Sequence, residues 1–165
     1  MRDIVLIAHN LRSCHNVGSL LRTAEGLGVQ KVILSGYTPH PTHANDRRLP
    51  HEALKIANQI HKTALGAEDF VKWEYHHELL PVIKKLQKDG YAVVAIEQTE
   101  HSKMLQDYHP PQKLALVMGR EVEGVEPEII DACDLAVEIP MFGKKESFNV
   151  VQAAAMALYH CRFTQ

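Results

Sequence analysis

Short apolar runs rich in β-branched residues recur along this chain, and longer stretches of helical period separate them. The runs fall at residues 4–8, 31–34, 71–75, 91–97, 114–118 and 135–139. Two of them, Ile4-Val5-Leu6-Ile7-Ala8 and Leu114-Ala115-Leu116-Val117-Met118, contain no polar residue at all. A strand that is apolar on both faces must be covered on both, which is the situation of a parallel sheet flanked by helices. The intervening segments agree. Val17, Leu20, Leu21, Ala24 and Leu27 make one helical stripe that Gly28 stops. Leu54, Ile56, Ala57 and Ile60 suggest a second helix, and Leu79, Leu80, Ile83 and Leu86 a third that ends at Asp89-Gly90. Pro127 stands where a first-turn proline opens a helix over 128–133, and an alanine-rich helix is expected over about 148–163. This alternation predicts an α/β fold with a mainly parallel sheet. The long connections at 35–50, 98–112 and 140–147 are where such folds place ligands.

Composition narrows the class. The 165 residues suit a single domain spanning 1–165, with no accessory domain. A chain of this size buries about 68–70% of its unfolded surface, so it needs no metal or disulfide staple. Cys14, Cys133 and Cys161 are scattered and odd in number, as in a reducing compartment. No apolar run approaches the roughly 20 residues that span a bilayer. The run at 4–8 is too short for a signal-peptide core, so a cytoplasmic protein is expected. The net charge of −2 excludes a surface that attracts nucleic acid everywhere.

Three clusters carry chemistry. In the first, residues 10–22, His15, Ser19 and Arg22 share with Gly26 a helix face opposite the apolar stripe. That face leaves the Arg22 guanidinium open to something outside the helix, or serves as a solvated surface of a helix capped at Asn16. The second, Met118-Gly119-Arg120-Glu121-Val122-Glu123-Gly124, follows an apolar strand directly. Gly119 lets a ligand approach the backbone there, and Glu121 offers a carboxylate at the same edge. A turn of glycine and charged residues would look similar. In the third, Ile139-Pro140-Met141 leads through a Pro/Gly loop to Ser147-Phe148-Asn149-Val150. Ser147 is a candidate N-cap, whereas Asn149 just inside a helix is locally unfavourable and points to another duty. His40, His43 and His51 share one loop, but their spacing fits no zinc pattern and no metal is expected. No Gly-x-Ser-x-Gly elbow supports a hydrolase. Nor is Gly26-Leu27-Gly28 a dinucleotide fingerprint, since it follows a helix.

Taken together and in order, the clusters resemble the SpoU/TrmH family of RNA 2′-O-ribose methyltransferases of the SPOUT superfamily. Asn16-x-Gly18 with Arg22 is similar to its first motif, Gly119-x-Glu121-x-x-Gly124 to its second, and Ile139-Pro140-Met141 with Ser147-x-Asn149-Val150 to its third. Phe148 departs from the usual leucine, and Lys144-Lys145-Glu146 fills the cofactor loop. The resemblance implies a C-terminal deep trefoil knot, S-adenosyl-L-methionine bound in it, and a homodimer with active sites at the interface. It implies that Arg22 is the catalytic residue, with Asn16 orienting Arg22 or the ribose, Glu121 fixing the arginine through a salt bridge, and Asn149 contacting the reacting region. Glu97, Gly119, Ile139, Met141, Ser147 and Phe148 are the candidate cofactor residues. Two other readings stay open: a catalytically silent RNA-binding module, and a knotted methyltransferase acting on a base nitrogen or a protein. For an RNA substrate, tRNA or rRNA, the positives must be concentrated, and Arg12, Arg47, Arg48, Arg120, Lys144 and Lys145 are the candidate contacts. A locally basic cleft on a mildly acidic body is expected.

Overall fold

The computed structural model describes residues 1–164. Seven strands form one sheet: β1 (Asp3–His9), β2 (Lys31–Ser35), β3 (Trp73–His76), β4 (Ala92–Ile96), β5 (Lys103–Met104), β6 (Lys113–Met118) and β7 (Leu135–Glu138). Their order is β3-β2-β1-β6-β4-β7-β5, and every pairing is parallel. The predicted α/β architecture is therefore the observed one. β5 went unforeseen because its two residues sit exposed at the sheet edge and carry no apolar run. The run at 71–75 enters the sheet only at Trp73.

Alternation along the central strands sorts the core into two layers. Ile4, Leu6 and Ala8 of β1 and Leu114, Leu116 and Met118 of β6 face one layer. There they meet helices α1 (Cys14–Gly26), α2 (Pro50–Ala64) and α5 (Val150–Phe163). Val5, Ile7, Ala115 and Val117 face the other layer, covered by α3 (Leu80–Lys88) and α4 (Pro127–Ala132). Pro127 occupies the first turn of α4, as expected, and Gly28 adopts the left-handed conformation just past α1, with φ of 62°.

Three local expectations are corrected. Ser13, not Asn16, caps α1, its hydroxyl accepting the Asn16 N–H. Asn149, not Ser147, caps α5, which begins at Val150. The locally unfavourable amide is thus accounted for: it sits outside the helix and accepts the Val151 N–H. On α2 the buried residues are Ala53, Ile60 and Ala64, while Leu54 is 57% exposed. Small residues face inward there because the α1 and α2 backbones nearly touch. A Cβ on Gly18 would overlap the Ile60 carbonyl and Thr63 Oγ1.

From β1 the chain moves outward to β2 and β3, whereas from β6 it crosses to β7 on the other side. The adjacent carboxyl ends of β1 and β6 therefore form a topological switch point, the usual ligand crevice of parallel sheets. β7 lies between β4 and β5, although it follows both in the chain.

The Gly18 contact is with backbone, which cannot step aside. Gly18→Ala is expected to destabilise the fold by about 1–3 kcal/mol, the range for overpacking; urea unfolding measures it, and an unchanged midpoint would refute the close-approach argument.

Candidate active site

The loop after β6 brings the Glu121 carboxylate to the N-terminus of α1. It accepts the backbone N–H groups of Arg12 at 3.1 Å and Ser13 at 3.0 Å, and the Asn16 side-chain amide at 3.2 Å. Amides ahead of a helix have no intrahelical partner, and the helix dipole favours an anion there. Asn16 Oδ1 in turn lies 3.5 Å from Asn149 Nδ2. One hydrogen-bonded chain, Glu121–Asn16–Asn149, thus joins the three sequence clusters. Burial pushes the Glu121 carboxyl up, but the Ser13 and Arg12 N–H groups and the Asn16 amide outweigh it and hold it below its ordinary value.

Beside this chain, at the ends of β4, β6 and β7, opens a cleft that faces solvent at its mouth. Of the six candidate cofactor residues, Glu97, Gly119, Ile139, Ser147 and Phe148 line it. Met141 does not; it lies half-buried in the same loop. Gly119 has a different reason from the one its position suggested. A Cβ there would overlap the Gly124 carbonyl group and the Val125 nitrogen, so the glycine serves closure of its own loop. Arg120 and Gly124 bond to each other through both backbone pairs across that turn. Glu97 holds the turn from below, its Oε2 accepting the Val125 N–H at 2.8 Å.

Other cleft residues escaped the sequence reading. Ile96, Val150 and Ala153 supply apolar wall, and Gln98 and Glu138 supply polar edge. Glu138 was legible in principle, since it ends a parallel strand; Ala153 on α5 carried no signal. Glu138 accepts the Ser102 hydroxyl at 2.8 Å.

The basic candidates divide. Arg22, Arg47, Lys144 and Lys145 are exposed, and Arg12 is exposed with its guanidinium 3.1 Å from Glu123. Arg22 has no hydrogen bond or ion pair among the described residues, so the expected Glu121–Arg22 salt bridge does not form; Glu121 is committed to α1. Arg48 and Arg120 are held by partners within the chain. Arg48 grips Asp46 and donates to the His40 and Pro41 carbonyls, both at 3.0 Å, tying its loop together. Arg120 is paired with Glu126. His40, His43 and Asp46 place one potential ligand atom each within 4.8 Å of one another. Asp46 is already bound to Arg48, whose hydrogen bonds hold its carboxyl well below the ordinary range. His40 is buried, with Nδ1 2.9 Å from the Pro41 carbonyl. This group braces the loop. Burial raises all three thiols, Cys133 and Cys161 to about 12, and so disfavours the thiolate form.

The model of the SpoU rRNA Methylase family matches residues 3–159. The chain belongs to this family. It is 30% identical over 161 residues to the 23S rRNA (guanosine-2′-O-)-methyltransferase RlmB of Neisseria meningitidis, covering 96% of this chain and 58% of that protein. The chain spans a little over half the length of the curated relatives it matches. Among solved structures it superposes on the A. aeolicus TrmH/SpoU tRNA modifying enzyme with a TM-score of 0.80 and 24% identity, covering 98% of this chain and 75% of that one. The AdoMet-bound rRNA methyltransferase from Sinorhizobium meliloti gives a TM-score of 0.82 and 20% identity, covering 97% and 56%. These structural likenesses establish the shared fold. No helix among the described residues is long and apolar enough to cross a membrane.

Because Glu121 lies below its unfolded value, near 4.5, its contribution to stability is present above that pH and is lost as pH falls through the folded value. Glu121→Ala is expected to cost about 1–2 kcal/mol at neutral pH. Denaturant midpoints at a series of pH values should show the gap to wild type closing as the medium is acidified below that range; a gap independent of pH would count against the helix-capping role.

Proposed function

We propose that residues 1–165 act as one catalytic domain, an S-adenosyl-L-methionine-dependent RNA methyltransferase that modifies a ribose 2′-hydroxyl in tRNA or rRNA. The observation that carries this is the meeting of all three family motifs at one hydrogen-bonded junction beside a cleft of suitable chemistry. Ile96, Ile139, Phe148, Val150 and Ala153 give apolar surface for a purine, edged by a few polar groups. Glu97 and Glu138 add negative charge that suits a cationic sulfonium. Arg120 also lines the cleft and brings a positive charge to its wall. When bound there, S-adenosyl-L-methionine supplies an electrophilic methyl group.

The chain's part is to place the ribose oxygen in line and to stabilise its negative charge. Arg22 suits this task. Its pKa above about 12 makes it a poor base, but its fork binds phosphate bidentately and stabilises an oxyanion. A proton leaving the hydroxyl then goes to phosphate or solvent. Asn16 and Asn149, locked to each other, hold the two helix starts that frame the reaction. Arg12, Arg47, Lys144 and Lys145 are the exposed positives left to meet the RNA backbone.

A homodimer completes this reading. Tyr159 and Phe163 on α5 are 61% and 63% exposed and pack against each other in a tilted arrangement with ring centroids 4.7 Å apart. Met156 and Ala155 extend that apolar strip on the same helix. The threading implied by the family is also part of the proposal: β7 enters between two earlier strands, and α5 packs on β4 and on the turn at Leu105–Asp107. The free cysteines support a cytoplasmic location.

Arg22→Ala should abolish transfer of radiolabelled methyl to RNA from a deletion strain while cofactor affinity by calorimetry holds and stability moves by less than about 0.5 kcal/mol. Full activity in that variant would sink the role. Nucleoside analysis of the wild-type product decides between ribose and base, and absence of cofactor binding would instead favour a silent RNA-binding module.

Sedimentation should give a dimer for wild type and a monomer for the double variant Tyr159→Glu, Phe163→Glu. A wild-type monomer at micromolar concentration would refute the dimer.

A further inference from the structure

A second polar network lies at the switch point beside the cleft, which it reaches through Arg120. Glu126 is its hub. One carboxylate oxygen accepts the Asn10 amide at 2.7 Å and is paired with the Arg120 guanidinium. The other lies 3.0 Å from His9 Nε2, and His9 Nδ1 lies 2.8 Å from the Ser35 hydroxyl. His9 is 7% exposed and Ser35 is fully buried. The groups come from three separate chain segments, the ends of β1 and β2 and the loop after β6.

The network is built tightly. Asn10 is held in the left-handed region at φ 55°, unusual for a residue with a side chain. Its Oδ1 accepts the Tyr37 N–H at 3.1 Å while its amide reaches Glu126. Gly36 next to it, at φ 68°, has no room for a Cβ, which would overlap Asn10 Oδ1. The charged and titratable groups facing the His9 ring are Glu126 and Arg120. Burial, opposed by Glu126, holds His9 below its ordinary value and favours the neutral ring. A neutral ring that donates from Nε2 to Glu126 accepts the Ser35 hydroxyl proton at Nδ1.

We propose that Glu126 and His9 are positioning residues for the cofactor cleft, acting through Arg120 and the loop it starts. Arg120 and Glu126 bracket the 119–126 loop, whose residues line the cleft and whose Glu121 caps α1. Pairing with Glu126 fixes the guanidinium of Arg120, itself a residue of the cleft wall. Anchoring Glu126 to His9 and Asn10 then ties the whole loop to the end of β1. The cleft is thereby shaped before a ligand arrives, and ligand binding need not supply the ordering.

The proposal rests on the cofactor reading above, and the test separates the two. Glu126→Ala should weaken S-adenosyl-L-methionine binding about tenfold by calorimetry, within the range that small misplacement produces. Glu126→Gln should restore affinity to within about threefold, because an amide can accept from Arg120 and Asn10 while His9 switches tautomer. KM for RNA should stay unchanged in both. Amide exchange at Arg12, Ser13 and Val125 should accelerate in E126A and not in E126Q, while the β1 amides stay protected. Arg120→Lys, which keeps the charge but lacks the fork, should weaken cofactor binding as E126A does, and it serves if E126A does not fold. Unchanged cofactor affinity in both E126A and R120K, or unchanged exchange in E126A, overturns the proposal. If the wild-type protein binds no S-adenosyl-L-methionine, the cofactor reading fails, and the exchange data alone decide whether the network holds the loop.

Discussion

The carboxylate of Glu121 at the start of α1 is the interaction on which the site depends. It exists because β1 and β6 are neighbours, with Ala8 opposite Met118, so that the loops leaving both strands emerge side by side. One loop starts a helix, whose first amides lack partners. The other carries an acid that satisfies them. This one contact holds the N-terminus of α1, orients Asn16 toward Asn149, and keeps the 119–124 turn folded over the cleft. The same pair of strand ends carries the His9–Glu126 network, so two polar clamps act on one loop from opposite sides.

Missing side chains matter here as much as present ones. Gly18 lets α1 lie against α2, and Gly119 lets the second motif turn back on its own carbonyl. Gly124, at φ 73°, leaves space that Glu97 fills. At Gly18 and Gly119 the approach is to backbone, and no rotamer change could relieve a Cβ there. The motif glycines thus read first as packing and closure, and their effect on ligand binding follows from the shape they permit.

The fold was largely legible because its signal is local and strong. A strand covered on both faces must be largely apolar, and six of the seven strands fall on an apolar run, two of those runs without any polar residue. The two-residue β5 does not, being exposed at the edge. Helix caps were misplaced by two or three residues, since Ser13 and Asn16, or Ser147 and Asn149, are equally good caps in isolation. The inward face of α2 was misread because hydrophobicity marked Leu54, whereas backbone proximity selects alanine. Of the cofactor candidates, Glu97, Gly119, Ile139, Ser147 and Phe148 line the cleft and Met141 does not.

What the sequence determined by itself was the layer architecture, the family, and the residue types that chemistry requires, because apolar periodicity and three ordered motifs survive without coordinates. What only the tertiary structure decided was the partner of each charge. Glu121 faced a choice between Arg22 and the amides of α1, and Arg48 and Arg120 between RNA and internal acids. Such choices turn on which loops leave adjacent strands. Strand order is a long-range property, with β6 lying beside β1 across more than a hundred residues of chain. Charge pairing acts over a few ångströms, so it could be assigned only once that order was known.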